Sequence, residues 1–303
     1  MKILDKSISP KSIDPGGASL RGTSRLSIAA ECELKWALRY RLGLRARPKP
    51  HDLDKTVGSL VHLLLCYHYA ERMLEPPAWF FERPLDREIN RVATGQPQAI
   101  ATAQECVDAY RRFYASESDR SVAVEHEIVV TLGELDPACP AALRDEIVTG
   151  RFDRIYEHGG ALIADDYKTQ ASKGARLYAF DVRRWSVNRQ ALLYLYLLRI
   201  AFPAREVAGF VIRQIKQYPP FDFKRHVIPI DTQAYVALPA IVTAAVRREV
   251  ELARELERRK PRRTGIMVDA CHAYNRHCEF YDLCYAESAE ERDRVQRNDF
   301  EGA

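Results

Sequence analysis

The sequence predicts an α/β fold in which a mixed central β-sheet is flanked by helices. Two observations predict it. Between residues 123 and 169 the apolar pattern is alternating and β-branched, and on both sides it switches to helical spacing. No internal repeat or low-complexity block suggests another architecture. A chain of 303 residues can bury one substantial core or two small ones.

Taken in order, residues 1–20 are rich in Ser, Pro and Gly and read as a flexible arm. Residues 21–286 read as a single domain and residues 287–303 as a charged C-terminal tail. "TSRLSIAAECELKWALRYRLGL" predicts a helix with Thr23 or Ser27 as N-cap and Gly43 as its stop. "VGSLVHLLLCYHYAERML" predicts a second helix, buried through its first half because it is apolar nearly all round. Residues 77–100 carry mixed signals and predict no element, and "AIATAQECVDAYRRFYAS" predicts a third helix. The strands are "AVEHEIVVTL", "EIVTGRFDRIYE" and "ALIADDYKT", bounded by Pro, Gly and Asp clusters. The helix "SVNRQALLYLYLLRIAF", the strand "EVAGFVIRQIKQY" and a long helix over residues 232–259 follow.

Composition bounds the function only loosely. Apolar content of 47% and charged content of 29% are those of an ordinary soluble protein. A formal charge of +4 permits an anionic partner without requiring one. No N-terminal run resembles a signal peptide. The longest apolar stretch, residues 191–202, is too short to span a bilayer and contains Arg199. A cytoplasmic protein without membrane association is expected. Seven cysteines in that compartment point to a metal or cluster rather than a disulfide framework.

The chemistry concentrates in a predicted hairpin. "EHGG" separates two strands, and a two-residue loop centred on His158-Gly159 or Gly159-Gly160 places Asp153 opposite Ala164 or Asp166. Side chains repeat every two residues along a strand, so both registers put Asp153, Asp166 and Lys168 on one face and Asp165 on the other. The two carboxylates would stand roughly 5–8 Å apart at Cβ. A three-residue loop would exchange Asp166 for Asp165. Such a face carries a cost in repulsion and desolvation that Mg²⁺ or Mn²⁺ would relieve. Taken alone, the motif fits a solvated edge hairpin equally well.

Further motifs change that balance. "GSLVH" spaces Gly58 and His62 four residues apart, and "QALLY" spaces Gln190 and Tyr194 likewise. Cys32, Cys271, Cys278 and Cys284 bracket both, with "GRFD" and "DYK" between them. In this order, over residues 23–284, the set resembles the RecB-like branch of the PD-(D/E)XK nuclease superfamily. The resemblance implies a restriction-endonuclease-like core that hydrolyses DNA phosphodiesters with Mg²⁺ or Mn²⁺. It implies His62, Asp153, Asp166 and the Tyr167 carbonyl as metal ligands, and Lys168 as the catalytic lysine. Gln190 and Tyr194 would contact DNA and support the site. Some relatives hold a [4Fe–4S] cluster on one cysteine before the core and three after it, which here would be Cys32 with Cys271, Cys278 and Cys284. The spacing departs from the usual C-x2-C-x5-C, because Asn275 occupies the first of those positions; Zn²⁺ is the alternative occupant of the four thiolates. Cys66, Cys106 and Cys139 read as structural.

Lys35, Arg39, Arg41, Arg45, Arg47 and Lys49 form a run without acids, a candidate phosphate-tracking surface, and residues 258–263 form a second. The expected function is a metal-dependent deoxyribonuclease, an exonuclease of recombination, repair or phage DNA processing, acting on free ends or single strands. The competing reading is a cluster- or zinc-stapled DNA-binding subunit of a helicase–nuclease complex. A nuclease acting on RNA is a third. No "GxxxxGK[ST]" loop is present, so ATP-driven unwinding would need a partner helicase.

Overall fold

The computed structural model describes residues 21–47, 53–171, 174, 176–264, 271 and 277–301; the expected N-terminal arm, Lys49 and Asn275 lie outside them. α1 (Thr23–Glu31) begins after Gly22 and stops at Cys32, whose extended backbone (φ −154°, ψ 109°) turns the chain into α2 (Glu33–Trp36). A π-helical turn over Ala37–Arg41 and the short strand β1 (Arg45–Ala46) follow. The continuous helix expected here is therefore broken, and neither Thr23 nor Ser27 caps it. The reason is tertiary: Glu33, just past the break, receives hydrogen bonds from Arg248, Arg259 and the Arg262 N–H, partners that local periodicity cannot register.

α3 (Leu53–Glu71) and α6 (Pro97–Phe113) are the two long helices of the next segment. Between them lie α4 (Ala78–Glu82) and α5 (Leu85–Val92), in a region whose sequence gave no clear element. The strands are β2 (Arg120–Thr131), β3 (Ile147–His158) and β4 (Ala161–Gln170), with the single turn α7 (Leu132–Leu135) after β2. α8 (Val182–Ser186) and α9 (Arg189–Ala201) cross over to β5 (Val207–Lys216), and β6 (Phe223–Ile228) pairs back on it. α10 (Thr232–Arg258) is the long helix.

The sheet order is β2-β3-β4-β5-β6, with β4 and β5 parallel and every other pair antiparallel. This is the mixed sheet flanked by helices that the sequence predicts. One face packs on α9 and α10 through Phe152, Ala164, Leu193, Phe210 and Val242; the other packs on α3 and α6 through Leu60, Tyr110, Tyr167 and Ile215. β4 is central and covered on both faces, so residues 161–167 are all buried, both aspartates included. The hairpin loop is Gly159-Gly160, with φ of +59° and +87°, and His158 pairs Ala161. Two positive φ values in a two-residue loop are what glycine permits and the right-handed strand twist favours.

The charged segment after Cys284 is ordered as α12 (Ala289–Asp299), following α11 (Tyr281–Tyr285). The Ser288 side chain caps α12, and β7 (Phe300–Glu301) then pairs antiparallel with β1. Phe300 stacks on Phe280 at 5.2 Å, so the segment read as a tail closes back onto the N-terminal helices through an apolar cluster that includes Leu38 and Leu44.

Candidate active site

The site forms where two β-ladders are interrupted at the same level. Between β3 and β4 pairing ends at Arg154↔Asp165. The next inward-facing donor, the Tyr167 N–H, donates instead to Asp153 Oδ2 at 2.6 Å. Between β2 and β3 the pairs Val124↔Arg154 and His126↔Phe152 skip Glu125 and Asp153. Glu125 has φ of +45°, a conformation that costs a non-glycine residue roughly 1–3 kcal/mol. The distortion aims its carboxylate toward Asp153. α3 lays His62 against them, with Nδ1 3.5 Å from Asp153 Oδ1. Ligand atoms of His62, Glu125 and Asp153 all lie within 4.8 Å of one another.

Asp166 and Lys168 emerge beside this group on the α9 face. Lys168 Nζ stands 2.5 Å from Asp166 Oδ2. The Asn188 side chain caps α9 and sets Gln190 in its first turn. Gln190 Nε2 donates to Asp166 Oδ1 at 2.8 Å, while its Oε1 accepts from Lys168 at 3.5 Å. One turn later Tyr194 accepts from Gln190 Nε2 at 3.2 Å and donates to the Arg151 carbonyl. The i, i+4 pair thus holds both the acid and the base of "DYK". Glycine admits this helix: a Cβ on Gly150 would meet Leu197 at 2.5 Å and the Tyr194 ring at 3.2 Å. A Cβ on Gly58 would likewise meet Gln217 and Thr169 at 2.7 and 2.8 Å.

The electrostatics are those of a part-buried pocket in which carboxyls are set against cations. Burial, then Asp153, pushes the Glu125 carboxyl up to about 7. Burial raises Asp166 as well, against the pull of Lys168. Burial would also raise Asp153, but His62 and the Tyr167 N–H outweigh it and hold it low. Burial opposes the charge on His62, and Asp153 more than restores it. Three carboxyls thus face the cations Lys168 and Arg151, the latter 3.6 Å from Glu125. The donor set, carboxylate oxygens with one imidazole, fits a hard divalent cation.

Glu125 is the residue that sequence reasoning missed. Its only signal was its place two strands before the lysine, and its importance lies in a backbone distortion that no pattern encodes. Asp165, expected simply to face away, has a structural setting. It is fully buried, accepts from Arg213 Nε at 2.8 Å, lies 3.5 Å from Arg154, and shares both guanidiniums with Glu117.

The four cysteines come into one neighbourhood. Burial first, then the charges of Cys278, Cys32 and Cys271, push the Cys284 thiol up to about 12. The Cys278 N–H donates to the Cys271 carbonyl at 2.8 Å. Cys66, Cys106 and Cys139 are buried apart from these, as structural cysteines would be. Of the expected DNA-contacting cations, Arg39 pairs with Glu279 and Lys35 acts on Cys278, while Arg41 and Arg45 are exposed. Within residues 258–263, Arg259 is engaged by Glu33 and Glu255, and Arg263 by the Cys284 carbonyl.

A family model for the PD-(D/E)XK nuclease superfamily matches residues 23–285. Among solved structures, a protein from Eubacterium rectale described as a putative exonuclease superposes with a TM-score of 0.52 at 13% identity, covering 93% of this chain and 97% of its own. The protein SSO0001 aligns over 76% of this chain and 86% of its own at 16% identity, with a TM-score of 0.29. No curated protein matches the chain. Among the described residues, no helix is long and apolar enough to cross a membrane.

Proposed function

The chain belongs to the PD-(D/E)XK nuclease superfamily, and we propose that it is a Mg²⁺- or Mn²⁺-dependent deoxyribonuclease of the RecB-like branch, an exonuclease hydrolysing DNA phosphodiesters at free ends or in single strands. The observation that carries this reading is the convergence of His62, Glu125 and Asp153 within 4.8 Å, beside a buried Asp166 paired with Lys168.

His62, Asp153, Asp166 and the Tyr167 carbonyl would hold the cation, with Glu125 added to them. When bound, it would supply Lewis-acid activation of the phosphodiester and of the attacking water. The remaining roles belong to the chain. The Lys168 side chain is part-exposed and would meet the negative charge that grows on the phosphate during attack. Gln190 keeps Lys168 and Asp166 in register, and Tyr194 fixes Gln190 through the Arg151 carbonyl. Gln190 and the exposed Arg41 and Arg45 would contact DNA, while the buried Tyr194 supports the site from within the core.

The grouping of Cys32, Cys271, Cys278 and Cys284 supports a [4Fe–4S] cluster that clasps the two ends of the domain, residues 21–286, with Zn²⁺ as the alternative. The test is anaerobic purification with an absorption spectrum and iron and zinc analysis, followed by assay of the same sample on end-labelled DNA with Mg²⁺ and with Mn²⁺. Broad visible absorption with iron at cluster stoichiometry, and shortening from an end, are expected. A metal-free, fully folded protein would remove the cluster; absence of cleavage with either cation would remove the nuclease.

A further inference from the structure

The site carries an aromatic element that the proposed hydrolysis does not use. Between β4 and α8 the chain returns past the sheet through residues 177–181, and this return is pinned on two sides. The Tyr178 N–H donates to Gln170 Oε1 at 3.0 Å, and the Tyr178 carbonyl accepts from Gln214 Nε2 at 2.9 Å. Gln170 lies two residues beyond Lys168 on β4, and Gln214 is the β5 partner of Lys168. The backbone of Tyr178 is thus anchored to the strand that bears the lysine and to its neighbour. The residue is nevertheless 61% exposed. An aromatic ring fixed at its backbone and left in water loses little further entropy when a second ring covers it.

Its surroundings suit a nucleic-acid strand. Phe180 stacks on His226 at 4.0 Å and lies parallel to Trp185 at 6.1 Å. Trp185 in turn carries the Lys168 ammonium 5.4 Å from its ring centroid. Gln214 Oε1 lies 3.0 Å from His226 Nε2, so one buried amide sets both Tyr178 and the stacked imidazole. Arg183 and Arg184 are exposed on the same short helix as Trp185. A solvent-facing tyrosine with its backbone tied to the strands beside the lysine, a neighbouring Phe180–Trp185 stack that reaches the Lys168 ammonium, and exposed cations are together the composition of a stacking platform.

We infer that Tyr178 is a base-stacking residue, receiving an unpaired nucleobase of the strand whose phosphate lies at Lys168. The inference rests on the nuclease reading for the identity of its ligand. It makes the geometry selective for an unpaired nucleotide and indifferent to which base it carries, because every base offers a π-face.

The test uses the full chain in EDTA, so that binding is read without cleavage. The probes are a single-stranded oligonucleotide bearing 2-aminopurine and a strand of the same length that is abasic throughout. Wild-type protein is expected to quench the 2-aminopurine and to bind the intact strand more tightly than the abasic one. In Tyr178→Ala the intact strand should bind about 5- to 150-fold more weakly, the abasic strand as before, and Tyr178→Trp should restore the difference. Equal Kd values of Tyr178→Ala and wild type for the intact strand would overturn the inference. So would an equal loss on both strands, or no binding of the intact strand by wild type. Cleavage is scored separately: its absence with every metal counts against the nuclease reading, while the intact-to-abasic ratio still decides Tyr178.

Discussion

Asp165 and Asp166 are both buried, at 0% and 3% exposure, yet they meet different charges on opposite faces of β4. Asp166 faces Lys168 and Gln190 beside the candidate cation site; Asp165 lies between Arg213 and Arg154, which stay charged at any accessible pH. Removing Asp165 therefore leaves buried guanidiniums short of a counter-charge, and Asp165→Ala is expected to lose about 3–5 kcal/mol of stability by urea denaturation. A variant as stable as wild type would contradict that assignment. Glu117 belongs to the same cluster. Burial would raise it, but Arg213 and Arg154 outweigh burial and hold it at about 2. A carboxyl depressed in the folded state stabilises above its ordinary value near 4.3 and stops doing so as pH falls through the folded value. Urea midpoints should thus fall between pH 5 and pH 2 in wild type, and less steeply in Glu117→Gln; identical slopes would exclude the role.

At the scale of elements, the site depends on close approach of α3 and α9 to the sheet. Gly150 sits under Tyr194 and Leu197, so Gly150→Ala should overpack that contact, costing roughly 1–3 kcal/mol. It should also lower kcat by shifting the Tyr194–Gln190 pair that holds Asp166. Unchanged Tm and kcat would show that the helix has room. The hairpin's parity was legible but its register was not: loops at His158-Gly159 and Gly159-Gly160 both put Asp166 with Lys168, and the observed His158↔Ala161 pairing selects the second. The i, i+4 spacing of Gln190 and Tyr194 was legible, being a property of one element. Glu125 was not, because its position depends on two ladders failing at one level. Nor was the break at Cys32, whose cause is a set of arginines more than two hundred residues away in the chain.

Across the whole molecule, charged residues that look superficial in sequence join distant segments. Glu33 ties α2 to α10 through Arg248 and Arg259, and the β1–β7 pairing brings the C-terminal end of the described chain onto the segment before α3. Helices thus cover both faces of a sheet whose central strand bears Asp166 and Lys168. We propose that Asp153, Asp166 and Lys168 form one hydrolytic site. It is tested most directly by the rate of Mn²⁺-dependent cleavage of end-labelled DNA in Asp153→Ala, Asp166→Ala and Lys168→Ala, each checked for native circular dichroism. All three variants are expected to lose cleavage by at least about 100-fold while keeping the fold. Wild-type rates in any one of them would contradict it.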